Sequence, residues 1–432
     1  MNEGVFILKK IIEIRSNTLF KSAGIYTITS IINSAIPFFL LPILTRYLSP
    51  ADYGMVSMFG VLVSFISPFI GLSGNGAIAR MYYEKDTVDI REYIANTMYI
   101  LLASTIIVSA AFYLFADIIS KASSVPMQIL WMAIAISFAQ FMTKIVLTLW
   151  QIEVKPIKYG IFQISQTMLN LLLSIFFVVL IKLEWKGRIY AQLITIIVFM
   201  IISTIILLKN NWLKFNYNSR YIKNALNFGI PMIPHALGAI FITMTDRVFI
   251  TNMVGIETTG VYTVGYQIGT IINLLATSFN SAYVPWLYQK LKENKYTTKI
   301  KIVKFTYFYF IVIVLLALIL GLLAPIFLTA FLGKSFNESS VYVIWIALGY
   351  AFNGMYFMVT NYIFYEQKTS YLAIVTFASA IINIILNYIF IKKNGAIGAA
   401  QATTIIYFVQ FLLTWILASR VYKMPWNLKK EG

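Results

Sequence analysis

Residues 46–54 read R-Y-L-S-P-A-D-Y-G, an apolar run follows to Phe69, and residues 71–85 read G-L-S-G-N-G-A-I-A-R-M-Y-Y-E-K. This stretch turns a hydrophobic segment around in one polar corner, and it recurs. Val254–Thr263 reads V-G-I-E-T-T-G-V-Y-T and places Gly260 where Gly54 stood. Ser278–Lys290 reads S-F-N-S-A-Y-V-P-W-L-Y-Q-K and repeats the Ser, Asn, Ala, Tyr and Lys of Ser73–Lys85 in register. A repeat spaced at about half the chain length marks transporters built from two similar halves.

Composition fixes the class. Of 432 residues 59% are hydrophobic and 12% charged, with a mean hydropathy of +0.79. Soluble chains carry about 25% charged residues, so this is a polytopic membrane protein with no room for a soluble domain. The absence of cysteine excludes disulfides and thiolate metal sites, and a single histidine, His235, excludes a His cluster. No metal and no cofactor are expected. A net charge of +18 in a soluble chain points to nucleic acid. Here Lys and Arg gathered on the cytoplasmic side account for it, and no nucleic-acid partner is expected.

A bilayer-spanning helix needs about 20 mainly apolar residues. About twelve segments qualify, near 22–44, 53–78, 93–115, 125–149, 157–181, 189–208, 225–250, 259–284, 304–328, 341–364, 370–391 and 397–419. The expected fold is all-α. Residues 1–21 read as a cytoplasmic interfacial amphipathic helix and not as a cleavable signal. A six-helix bundle over 22–208, a cytoplasmic linker and hinge at 209–224, a second bundle over 225–419 and a cytoplasmic tail at 420–432 complete the layout. Lys and Arg fall about three to one on the side of the termini, which puts both termini in the cytoplasm. Arg46, Lys121, Lys182, Lys186, Arg188, Lys334, Lys392 and Lys393 fall on the other side. E-V-K at 153–155 is echoed by E-Q-K at 366–368, and Asn170 by Asn383. With an even number of spans in each half, the halves share orientation about a pseudo-twofold along the membrane normal.

The motifs at 46–54, 71–83 and 245–250 (T-D-R-V-F-I), with G-V-Y at 260–262 and G-A-I-G-A-A at 395–400, resemble the polysaccharide-export branch of the multidrug/oligosaccharidyl-lipid/polysaccharide (MOP) exporter superfamily. The group most similar is the Wzx-type O-antigen and capsule repeat-unit flippases, and the resemblance covers essentially the whole chain. It implies a twelve-helix, two-bundle exporter in the bacterial inner membrane. Such an exporter moves an undecaprenyl-pyrophosphate-linked oligosaccharide from the cytoplasmic to the periplasmic leaflet by alternating access, coupled to an ion gradient. It also implies a polysaccharide polymerase and a chain-length regulator as neighbours, beside the membrane lipids themselves.

A diphosphate and a sugar head crossing hydrocarbon would lose water at every charge and hydroxyl. The carrier therefore needs a wet path with cations for the diphosphate and amides for the sugars. Charged groups inside spans are the first candidates. Lys144 has two readings: a cavity cation for the diphosphate, or a lysine snorkelling to the inner headgroups. Arg247 reads as a cavity cation and Asp246 as an ion-coupling or gating group. Adjacent helical residues point about 100° apart, so the two are not expected to pair. The alternative for both is a structural lock. Arg80 reads as an inner-mouth diphosphate contact or an interfacial anchor beside Tyr82 and Tyr83. Arg46 is assigned to gating and topology. Among many intramembrane amides, Asn75 and Asn280 are chosen for sugar contact because the repeat makes them equivalent. His235 follows Pro231 and Pro234, which are expected to break the helix; it reads as a coupling group or as a histidine satisfied in a bend.

Two other classes compete. A cation-coupled multidrug antiporter needs a cavity acid, and within the spans only Asp246 is offered. A multi-span polymerase or ligase carries a large outer loop, and the outer loops expected here are short. There is no phosphate loop, paired-carboxylate site or nucleophile motif, so no catalytic residues are assigned and no enzyme is expected.

Overall fold

The structure is a computed structural model that describes residues 3–368 and 370–427, with side chains for 24–368, 372 and 374–427. It is built of helices: α1 (Glu3–Tyr47), α2 (Pro50–Ile66), α3 (Gly74–Met81), α4 (Ile90–Leu114), α5 (Ala116–Ser123), α6 (Met127–Ile152), α7 (Pro156–Ile175), α8 (Glu184–Lys209), α9 (Ser219–Met253), α10 (Ile256–Gly269), α11 (Ile271–Lys292), α12 (Tyr296–Phe331), α13 (Ser340–Tyr365), α14 (Ser370–Asn394) and α15 (Ala396–Val421). No strand occurs among the described residues. An all-helical chain is what hydrocarbon demands, because a helix satisfies its own backbone hydrogen bonds.

Ten of these helices are long and apolar enough to cross a membrane, and they coincide with ten of the expected spans. The other two, 53–78 and 259–284, are each divided. After α2, Ser67 and Pro68 lead into Gly71, Leu72 and Ser73, all at positive φ (76°, 46° and 55°), and helix resumes at Gly74. Gly71 suits that conformation because it has no Cβ. In the second half the interruption is the single residue Thr270 between α10 and α11, its hydroxyl turned back to the Gln267 carbonyl at 2.5 Å. The expected amphipathic helix is not separate: residues 3–21 run straight into the first span as α1. Residues 1–2, and residues 428–432 of the expected tail, lie outside the described residues.

The polar corner between α1 and α2 follows from its sequence. Pro50 sits at the first helical position, where its missing N–H costs nothing. The Ser49 hydroxyl accepts from the Asp52 N–H at 3.1 Å, and Asp52 Oδ2 accepts from the Ser49 N–H at 3.0 Å. This reciprocal capping box satisfies two of the helix's orphan donors.

The chain forms two compact units. One holds the described residues up to Leu40, Ile66–Ala116 and Met127–Ile233; the other holds Leu41–Phe65, Asp117–Pro126 and the residues from Pro234 onward. In the first, α6 packs on α3, α4, α7 and α8. Asn33 Nδ2 donates to Gln163 Oε1 at 2.9 Å, and its Oδ1 accepts from the Thr167 hydroxyl at 2.9 Å. In the second, α13 lies against α10, α11, α12 and α15. Both α1 and α9 change unit along their length, α1 between Pro37 and Pro42 and α9 at Ile233–Pro234. Contrary to expectation, Pro231 and Pro234 do not break α9, which is continuous over 35 residues. Each proline does remove one backbone hydrogen bond and leaves a weak point in the helix.

The expected hinge at 209–224 is pinned to the first unit. Asn96, buried in α4, donates to the Asn216 carbonyl at 2.8 Å and accepts from the Asn218 N–H at 2.9 Å. Lys214 pairs with Glu92 at 2.5 Å, and the Tyr93 hydroxyl donates to Asn224 Oδ1 at 2.9 Å. Asn96→Ala leaves two backbone groups without partners, at about 1–3 kcal/mol each if they stay buried. Faster tryptic cleavage after Lys214 than in wild type is the expected result, and an unchanged rate would mean the strap is held by its other contacts. Lys214 also reaches the Asp89 carboxylate at 3.5 Å, and the Arg91 guanidinium, hydrogen-bonded to that carboxylate at 3.0 Å, holds it down to about 2. A depressed carboxyl stabilises the fold above its ordinary value of 3.8 and loses that effect only as pH falls toward 2, so the strap should stay closed across neutral pH.

Candidate functional site

Exposed faces of spanning helices sort by what they meet. A face against lipid must be apolar, and polar or charged exposure marks water. Along α14 the exposed side chains include Ile374, Phe377, Ile381, Ile385 and Ile389, and along α4 Leu102, Ile106 and Ile107. These are lipid faces. α6 departs from the pattern. Lys144 and Gln151 are exposed, and Gln140 and Thr148 are half-buried. At spacings of four, four and three these residues form one polar stripe on the helix. Lys144 stands eight positions before the end of α6, about 12 Å at 1.5 Å per residue. None of the ion pairs among the described residues involves it. α9 carries a weaker stripe of the same kind: Asn224, Asn227, Pro231 and His235, all exposed.

The second unit holds a different kind of cluster, sealed from water. Asp246 is 1% and Arg247 6% exposed. Against the expectation from their adjacency, they pair: Arg247 Nη1 reaches Asp246 Oδ1 at 3.0 Å and also donates to the Thr243 carbonyl at 2.7 Å. The arginine is long enough to curl back one turn, so the divergence of the two Cα–Cβ directions does not keep the charges apart. The Tyr262 hydroxyl donates to the other carboxylate oxygen. The guanidinium lies 4.1 Å from the centroid of the Tyr266 ring, a desolvated cation–π contact. Tyr266 and Tyr350 share a hydrogen bond at 2.7 Å, and the Tyr407 ring stands 5.5 Å from that of Tyr350. Every charge in this cluster has a counter-charge or an aromatic face, as burial requires.

The remaining candidates are scattered. Asn280 Oδ1 accepts from Asn361 Nδ2 at 2.9 Å, whereas Asn75 is half-buried with no hydrogen bond among the described residues. Arg80 is exposed at the end of α3 and Arg46 at the end of α1, both where the helix dipole favours a cation. Only Asp246 and Arg247 are brought together among the singled-out residues. Sequence reading missed Tyr262, Tyr266, Tyr350 and Tyr407; the i, i+4 spacing of Tyr262 and Tyr266 behind the G-V-Y motif was the available signal. Asn383 and Asn387 count among the intramembrane amides of the sequence; the structure adds Ser379 and shows the three as one stripe on α14, fully buried at spacings of four. There the Ser379 hydroxyl, Asn383 Nδ2 and Asn387 Oδ1 lack hydrogen-bond partners. Among the described residues no group of three or more His, Asp or Glu could hold a metal ion.

Ten helices of spanning length with apolar exposed faces are the architecture of a multi-pass membrane protein, and one of them carries a polar, cationic face. The sequence profile of the polysaccharide biosynthesis protein family matches residues 19–291, and this chain belongs to that family. The MatE profile matches residues 231–389. Lsg locus putative protein 1 of Haemophilus influenzae is 26% identical over 408 residues, covering 90% of this chain and 98% of that one. Two solved structures share the fold. The lipid II flippase MurJ in an inward closed conformation superposes at a TM-score of 0.72, with 17% identity, over 91% of this chain and 87% of that one. An inward-facing multidrug resistance MATE family transporter of the MOP superfamily superposes at 0.70, with 15% identity, over 91% and 94%.

Proposed function

We propose that this protein flips undecaprenyl-pyrophosphate-linked oligosaccharide repeat units from the cytoplasmic to the periplasmic leaflet of the bacterial inner membrane, with both termini in the cytoplasm. The observation that carries this reading is the α6 stripe. A lone exposed lysine among amides and a hydroxyl, on a helix that crosses hydrocarbon, suits an anionic headgroup attached to polyhydroxyl rings. Lys144 would meet the diphosphate, with Arg80 at the inner mouth, and amides such as Asn75 would meet sugar. The isoprenoid tail would stay in lipid. Because the 209–224 segment is strapped down, rocking would centre on the proline-weakened stretches of α1 and α9, beside His235. A polymerase and chain-length regulator would act on the delivered units.

Asp246 and Arg247 keep only their second role in this reading, a lock that shapes the second unit. Any coupling ion would sit elsewhere, and the unpartnered Asn387 oxygen on α14 has the neutral oxygen chemistry that suits a monovalent cation. The antiporter reading is weaker because the one acid it needs is neutralised by its neighbour.

The test is lipid-linked repeat units and surface polymer in a host deleted for this gene. Units accumulating on the cytoplasmic leaflet with polymer lost are the expected result. Units that reach the periplasmic leaflet but remain unpolymerised would transfer the chain to the polymerase class. Normal polymer with altered drug sensitivity would favour the antiporter. Collapsing the sodium or the proton gradient in the complemented strain then identifies the coupling ion.

A further inference from the structure

The two copies of the repeated corner also touch one another. Pro50, Gly54 and Ser57 on α2 correspond to Ile256, Gly260 and Thr263 on α10, each pair 206 residues apart. In the second unit these equivalent residues meet reciprocally. A Cβ on Gly54 would overlap the Ile256 carbonyl oxygen, and a Cβ on Gly260 would overlap the Pro50 carbonyl oxygen. Ser57 and Thr263, equivalent to one another, share a hydrogen bond at 2.8 Å. A contact in which i meets j′ as j meets i′ is isologous, with its local twofold passing between those two hydroxyls. Glycine at both positions lets the backbones touch, the close crossing that small residues give membrane helices. The Tyr53 hydroxyl adds one more neutral bond, to Gln267 Oε1 at 2.8 Å.

The parts of the first sequence half that belong to the second unit are Leu41–Phe65 and Asp117–Pro126. The latter is held by Asn252 Nδ2 donating to the Ala122 carbonyl at 2.8 Å. These two segments carry Arg46 and Lys121, two of the three first-half corners that the charge bias assigns to the outer side; the third, at Lys182–Arg188, stays with the first unit. The inner corners around 82–91, 152–156 and 210–218 stay with the first unit. The chain on either side of Leu41–Phe65 returns to the first unit, through α1 between its prolines and through the turn at Pro68. The segment therefore has a second set of neighbours available.

We propose that the α2–α10 glycine crossing is the outer gate of the transport path. It is closed here, and Ser57 separates from Thr263 when cargo leaves on the outer side. Two neutral hydrogen bonds and a glycine contact can be exchanged for water without stranding a charge. This proposal rests on the transporter reading, but its labelling test does not require the cargo to be known.

The chain has no cysteine, so the double variant Ser57→Cys/Thr263→Cys carries one thiol pair in a clean background. In native membranes, copper phenanthroline should cross-link it. Delivery of polymer should fall in proportion to the cross-linked fraction, return with reductant, and stay unchanged by oxidant in either single variant. Separately, Ser57→Cys should be shielded from a membrane-impermeant maleimide added outside, and adding Gly54→Ala or the larger Gly54→Leu, which prevent closure, should expose it. Full polymer delivery from cross-linked protein overturns the gate, as does equal labelling with and without the glycine substitution. A changed labelling pattern in a strain whose polymer never depended on this chain would retain the gate and discard the cargo.

Discussion

Asp246→Asn alone is expected to remove most folded protein from the membrane, and so is Arg247→Gln alone, while the double variant recovers it. Each single change strands a charge or a desolvated carboxylate partner inside the second unit. Breaking a buried pair by removing one member costs about 3–5 kcal/mol, whereas replacing both members with neutral groups of similar volume is often near neutral. Several partners would remain in the double variant: the amide oxygen of the introduced asparagine could still accept from Tyr262, and the amide of the introduced glutamine could still reach the Thr243 carbonyl. Membrane abundance and thermal stability in detergent read the fold, and polymer delivery reads the function. If the pair is a lock, the double variant is both folded and active. A folded but inactive double variant would return Asp246 to the role of coupling group and sink the lock.

This pair also marks where sequence reading ran out. Apolar length finds spanning helices because hydrocarbon thickness sets their length, and ten of the expected spans were legible for that reason. Hydropathy says nothing of backbone geometry. The break at Gly71–Ser73 and the interruption at Thr270 were invisible to it, although both fall inside runs of suitable composition. The Asp246–Arg247 pairing was misread because the 100° rule fixes Cβ directions and not where a long guanidinium can reach. Motif recurrence identified Gly54 and Gly260 as equivalent. It could not show that equivalent residues touch, since contact depends on packing between segments far apart in the chain. Of the candidate site, Lys144 was legible as an intramembrane charge. The stripe around it became legible only when Gln140, Thr148 and Gln151 could be sorted by exposure, because each alone is an ordinary helix residue.

Removing the charge of Lys144 should do the reverse of breaking the buried pair, leaving the fold intact and lowering transport. Lys144 is exposed and none of the ion pairs among the described residues involves it, and substitutions at such positions usually change stability by no more than about 0.5 kcal/mol. A hydrogen bond to a charged group contributes about 1.5–3 kcal/mol, which corresponds to roughly 10–150-fold in affinity. Lys144→Ala and Lys144→Gln should therefore deliver polymer at least about tenfold more slowly when repeat units are scarce, with normal protein abundance. Lys144→Arg should retain most of the rate, because a guanidinium also binds phosphate. The decisive variant is Lys144→Leu. If Lys144 only snorkels to the headgroups, its stem meets lipid, and leucine should serve there as well as or better than lysine. If the α6 stripe faces water and an anionic headgroup, leucine removes the cation and places an apolar side chain on the wet face. Wild-type delivery by Lys144→Leu would end the case for the stripe as the diphosphate contact. Loss of delivery in the Leu, Ala and Gln variants with retention in the Arg variant would tie transport to positive charge at this one position.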